Sequence, residues 1–164
     1  MAKSLTITLY MSELLYDFQN KAYLTGRSRK AEGKDVEFTS NMQASDDDSD
    51  KNQVLRSIQN AYGQLLVELS EGFHGVATAT SKNELLAESN ITLKLDVPSN
   101  FNLGIRDSLS SAIHEYIVNK ALMDWYMITN KEDAKDYADL SAVALQNIHN
   151  AFNRRERPVR TEIE

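Results

Sequence analysis

A chain of 164 residues with 41% hydrophobic and 26% charged side chains suits one domain that buries a core without metal or disulfide staples, and is too apolar to be wholly disordered. It contains no cysteine, which excludes thiolate chemistry, iron–sulfur clusters, cysteine-ligated zinc and disulfides. The net charge of −6 argues against general nucleic-acid binding, because affinity for a phosphate backbone needs clustered Lys and Arg. No apolar run approaches the roughly 20 residues of a membrane span, and the N-terminus lacks the basic-then-apolar layout of a signal peptide, so a chain made in the cytoplasm and independent of membranes is expected.

Leu5, Ile7 and Leu9 alternate with threonines as a strand would, yet Ile7, Met11, Leu14, Phe18 and Ala22 also share one helical stripe. The stripe predicts a helix over about residues 8–24, with Gly26 as its stop. Residues 27–50 are polar and without periodicity; Arg27, Arg29, Lys30 and Lys34 give way to the acidic cluster Asp46, Asp47, Asp48 and Asp50. Such a stretch reads either as a loop or as an extended arm that orders against a neighbouring subunit. The next helix is strongly marked by Val54, Leu55, Ile58, Ala61, Tyr62, Leu65, Leu66 and Leu69, with Ser49 or Asp50 as cap and Gly72 beyond its end. The acidic cluster sits at its N-terminus, where the helix dipole favours negative charge.

Between Phe73 and Val97 the period becomes two, in Val76, Thr78 and Thr80 and again in Ile91, Leu93, Leu95 and Val97. This predicts a β-hairpin over about 73–97, closed by Pro98. A long helix follows over about 103–128, with Leu109, Ala112, Ile113, Tyr116, Ile117, Ala121 and Trp125 on one side and Val118 and Leu122 on a second. A helix apolar on two sides is either the centre of a bundle or a subunit interface. Trp125 and Tyr126 read as core residues in preference to a base-stacking platform. After Thr129-Asn130 a last helix over about 131–153 runs antiparallel to its predecessor, and the chain closes in a basic tail, Arg154-Arg155-Glu156-Arg157-Pro158-Val159-Arg160. The fold class is therefore mainly α: a four-helix bundle with a β-hairpin and a long extended arm, residues 1–153 forming one domain and 154–164 the tail.

Motifs for chemistry fail on inspection. His114-Glu115 opens like a zinc-protease helix, but Val118 stands where the second histidine belongs. Asp46, Asp48 and Asp50 alternate like a calcium loop, but Lys51 replaces the required glycine and Ser57 the bidentate glutamate. The six glycines form no phosphate-binding loop, and there is no Gly-x-Ser-x-Gly elbow. The expectation is a non-enzymatic protein with no catalytic residues, cofactor or metal.

From Val97 to Arg160 the order is a strand ending in proline, a long helix carrying Ile-Val-Asn-Lys-Ala-Leu-Met-Asp-Trp-Tyr at 117–126, a short break, then a helix closing in Asn153-Arg154-Arg155-Glu156-Arg157-Pro158-Val159-Arg160. This stretch resembles the head–tail connector (adaptor or neck ring) proteins of tailed bacteriophages, in particular those of phages and prophages of Bacteroides-type gut bacteria, including crAss-like phages. The resemblance implies a structural virion protein assembled in the host cytoplasm, forming a homo-oligomeric ring, commonly of about twelve copies, between portal and tail. Its partners would be its own copies, the portal, and tail or other neck proteins, with DNA only passing through the lumen. Arg154, Arg155, Arg157, Pro158, Val159 and Arg160 would dock on a partner, and Val118, Leu122, Asp46, Asp47 and Asp48 would face a neighbouring subunit. The alternative is a small helical protein-binding or regulatory module, acting as a monomer or dimer.

Overall fold

The computed structural model describes residues 3–33, 35–45, 47–70 and 89–158. The N-terminal alternation resolves as a strand, β1 (Lys3–Leu9), followed at once by a helix, α1 (Met11–Ala31). The helix expected from about residue 8 therefore starts later: Ile7 belongs to the buried face of β1 with Leu5 and Leu9, while Met11, Leu14, Phe18 and Ala22 form the buried stripe of α1. Tyr10 is extended, and its carbonyl accepts the N–H groups of Glu13 and Leu14 at 3.2 and 3.1 Å, which opens the helix. One apolar stripe had spanned two elements.

Gly26 is not the stop either. It is a buried mid-helix residue, and a Cβ there would lie 3.1 Å from Gln43 Cγ and 3.2 Å from the Thr39 carbonyl oxygen. The helix ends instead at Gly33, whose φ of +87° is the left-handed conformation that glycine adopts without strain. The expected arm over 27–50 is likewise corrected. Its first residues complete α1, a short helix α2 (Val36–Asn41) follows, and α3 (Asp48–Glu68) has already begun by Asp48. Thr39 and Met42 are the buried anchors of this stretch, and the Trp125 Nε1–H donates to the Met42 carbonyl at 2.9 Å. At the start of α3 the cap position is Asp47, not Ser49 or Asp50. Asp50 reaches back instead, accepting from the Ser45 N–H and hydroxyl at 3.0 and 2.7 Å. Val54, Leu55, Ile58, Ala61 and Leu65 are buried along α3, as their spacing requires.

Strand β2 (Ile91–Val97) pairs antiparallel with β1, in register from Lys3 opposite Val97 to Leu9 opposite Ile91. Its partner among the described residues is thus the N-terminal strand. The first strand of the expected hairpin, about 73–80, and its connection through 88 lie outside the described residues, as does Gly72. Ile91, Leu93, Leu95 and Val97 share one buried face with Leu5, Ile7 and Leu9. At about 1.5–3 kcal/mol for each fully buried aliphatic side chain, packing of this face offsets the marginality of a two-stranded sheet.

After Pro98, a one-turn 3-10 helix (Leu103–Ile105) leads into α4 (Arg106–Thr129), and α5 (Lys131–Phe152) returns antiparallel to it. The Asn130 side chain caps α5 by accepting the Glu132 N–H at 3.2 Å. Of the two roles open to a helix apolar on several sides, α4 takes the first: it is the central helix, packed against α5, α3, α1 and β1. Val118 and Leu122 are 1% and 0% exposed within the single chain, so the expectation that they face a neighbouring subunit is corrected. Trp125 and Tyr126 are core residues, the former meeting Phe18 edge-on at 6.2 Å and the latter stacked on Tyr137 at 5.3 Å. The fold is mainly helical with two antiparallel strands, and five α-helices occur among the described residues.

Candidate functional site

Helices α1 and α4 run side by side, and a groove of about 540 Å³ opens between their first halves. Glu13, Asp17 and Lys21 stand on one wall at four-residue intervals; Ser111, His114 and Glu115 stand on the other; Thr8, Leu9 and Tyr10 close one end. His114 Nε2 and Asp17 Oδ2 are 2.7 Å apart, a pairing that ties the two helices and occupies one ring nitrogen. Lys21 Nζ donates to Oδ1 of the buried Asn119 at 3.0 Å. Glu13 and Glu115 are exposed at the rim, and their carboxylates have no partner among the described residues. Three carboxylates against one ammonium make the groove attractive to cationic groups, while Tyr10, 57% exposed, offers an aromatic face at its end. No group of three or more His, Asp or Glu is placed to hold a metal ion among the described residues.

A second polar cluster locks the opposite end of the bundle. The Arg29 guanidinium makes a forked contact with Asp133, Nε lying 3.1 Å from Oδ1 and 3.3 Å from Oδ2, and Nη1 donates to Glu32 at 2.8 Å. These charged partners, Asp133 foremost, raise the Arg29 pKa above its ordinary value. Asp133 is 3% exposed and also accepts from Asn130 Nδ2. Beside it the Thr25 and Tyr137 hydroxyls are 2.8 Å apart, and burial pushes the Tyr126 and Tyr137 phenols up. The neutral side chains around this node suit packing and the ion pair suits docking of α1 on α5, which is a structural role.

Of the residues expected at interfaces, Asp47 and Asp48 are exposed at the start of α3, and Asp46 lies outside the described residues. The basic tail is divided. Arg154 and Glu156 are bound to the body: the Asn102 N–H donates to the Arg154 carbonyl at 3.3 Å, the Glu156 N–H to the Asn100 carbonyl at 2.7 Å, and Lys3 Nζ lies 3.2 Å from Glu156 Oε1. Arg155 pairs with Phe101 as an isolated bridge, its guanidinium donating to the Phe152 carbonyl at 2.9 Å. The free part begins at Arg157 and Pro158, both exposed; Val159 and Arg160 lie outside the described residues. The Asp17–His114 pair escaped sequence reading because nothing local marks a contact between residues 97 positions apart. No helix among the described residues is long and apolar enough to cross a membrane. Comparison with protein-family models, with curated proteins and with solved structures finds no match.

Proposed function

We propose that the chain is a non-enzymatic assembly protein, a head–tail connector subunit that sits in the neck of a tailed phage virion between portal and tail and docks through its C-terminal segment. The observation that carries this reading is the exit of that segment. Three arginines, 154, 155 and 157, are exposed where α5 ends, and none has a carboxylate partner among the described residues, so a cationic segment is presented beside residues 100–102. A protein working through such a segment needs an acidic or hydrogen-bonding surface on its partner. Antibody raised against the chain should label the neck of tailed particles released from the host; particles consistently free of label, with the chain present only unassembled, would remove the reading.

One observation favours the second reading, a small helical protein-binding or regulatory module. Val118 and Leu122 are enclosed by their own chain, so the second apolar side of α4 needs no neighbour to cover it. Such a module would show no label on particles and a single unassembled species at every concentration.

A further inference from the structure

We infer that residues 154–156 form a salt-sensitive strap with Lys3 as its catch, so that the C-terminal segment has two states: closed, with Arg157 leaving the body at a fixed point, and open, with the segment swinging from Asn153. This rests on the assembly reading above, in which that segment is the docking element, and states what governs its position and charge. Three contacts close the strap. The Asn102 N–H donates to the Arg154 carbonyl at 3.3 Å and the Glu156 N–H to the Asn100 carbonyl at 2.7 Å, so residues 154–156 lie antiparallel along residues 100–102. The third is the Lys3 ammonium, which donates to Glu156 Oε1 at 3.2 Å and to the Phe101 carbonyl at 3.4 Å. Lys3 thereby joins the first residue of β1, the strap and the stretch beneath it at one point.

Little else holds the segment. Every residue from Asn153 to Pro158 is exposed, and a stretch with few backbone bonds and no buried side chain of its own opens at far less cost than a core helix. The catch is an ion pair whose side chains are 34% and 50% exposed, a setting in which salt screens the attraction. Rising ionic strength therefore shifts the balance toward the open state. Opening frees residues 154–156, about 10 Å of extended chain, and returns the Glu156 carboxylate to the company of the neighbouring arginines. Closing does the reverse. The one acid between Arg154 and Arg157 is then held by Lys3, and the arginines are presented uncompensated and in a fixed place, which lowers the ordering cost of docking.

The test is amide hydrogen exchange of the full chain by NMR, read at Asn102 and Glu156, the donors of the two strap bonds, with the buried Ile117 of α4 as reference. In the wild type at low ionic strength both amides should be protected, yet exchange well ahead of Ile117, as opening of the strap alone requires. Lys3→Met should speed both by about two- to fivefold, the worth of an exposed ion pair. Added salt should do the same to the wild type and little to Lys3→Met. Lys3→Glu combined with Glu156→Lys should restore protection at Asn102, which separates the charge pairing from the packing of either side chain. Should Lys3→Met not fold, Glu156→Gln replaces it and should move Asn102 in the same direction. Wild-type strap amides as fast as those of an unstructured chain overturn the inference, because no strap then closes; amides as slow as Ile117 overturn it because the segment then opens only with the whole fold; rates unmoved by Lys3→Met overturn it because Lys3 is then no catch. All three leave the assembly reading intact, and particles free of label in the neck experiment remove that reading independently.

Discussion

Eleven of the 24 residues of α4 are buried, whereas among the described residues from Arg27 to Ser45 only Thr39 and Met42 are. The first region is held by side chains on almost every face of a helix. The second is held by a few points: a methionine beneath Trp125, a close crossing at Gly26, and the Arg29–Asp133 pair at its entrance. Where burial is dense, opening any part exposes the whole core; where it is sparse, a segment can open while the rest stays folded. The difference teaches that folding and local opening in this chain are set by different residues.

The largest test of that contrast is Leu122→Ala. Leu122 is fully enclosed in α4, and its truncation should cost about 2–5 kcal/mol of global stability, read as a lowered denaturant midpoint with an unchanged slope. Arg29→Ala comes next, at about 2–3 kcal/mol, because it leaves the buried Asp133 carboxylate with Asn130 as its remaining side-chain partner. A negligible change would mean that water replaces the guanidinium and that the link between the two regions is weak.

Met42→Ala removes an equally buried side chain, yet should lower global stability by less than about 2 kcal/mol. Its main effect should be faster amide exchange over residues 36–42. A loss as large as that of Leu122→Ala would show that the two regions unfold as one. Gly26→Ala is smaller still: the gain in helix propensity of about 1 kcal/mol is opposed by a Cβ at 3.2 Å from the Thr39 carbonyl. The expected result is a nearly unchanged melting temperature with reduced protection in α2.

The smallest effect concerns the edge of α4's enclosure. Burial raises the Asp124 carboxyl above its ordinary range, only partly countered by Lys120. A folded-state pKa raised above the unfolded value favours the protonated acid, so this contribution is present at low pH and lost as pH rises through the folded value. Asp124→Asn should therefore melt slightly higher than the wild type at neutral pH, and the gap should close below the usual carboxylate range. No gain at neutral pH would mean that Lys120 fully compensates the burial.

These contrasts also mark what could be read from the residues alone. Helices α3, α4 and α5 were legible because Val54, Ile58, Leu65, Ile113, Ile117 and Ile148 repeat at intervals that leave little choice of period. The N-terminus was misread because Ile7 satisfies both periods, and only its pairing with Leu93, far along the chain, selects the strand. The segment after Gly26 gave no signal because its folding depends on Met42 and Thr39, too few apolar positions to form a pattern. Gly26 itself was read as a terminator when it serves a close helix crossing, a role that only a neighbour's position reveals. The groove was illegible for the same reason, since its walls come from α1 and α4.

The pairing of β1 with β2 has a consequence for synthesis. Partners such as Leu9 and Ile91 are more than 80 residues apart, so the first strand to leave the ribosome waits for the second through most of translation. Until then the hydrogen-bonding edge of β1 is unpaired, and its apolar face of Leu5, Ile7 and Leu9 waits longer still for α4; contacts of such long sequence separation form slowly. Strand β1 is thus a site of prolonged exposure in the nascent chain, and chaperone engagement should be sought there, ending once α4 has emerged.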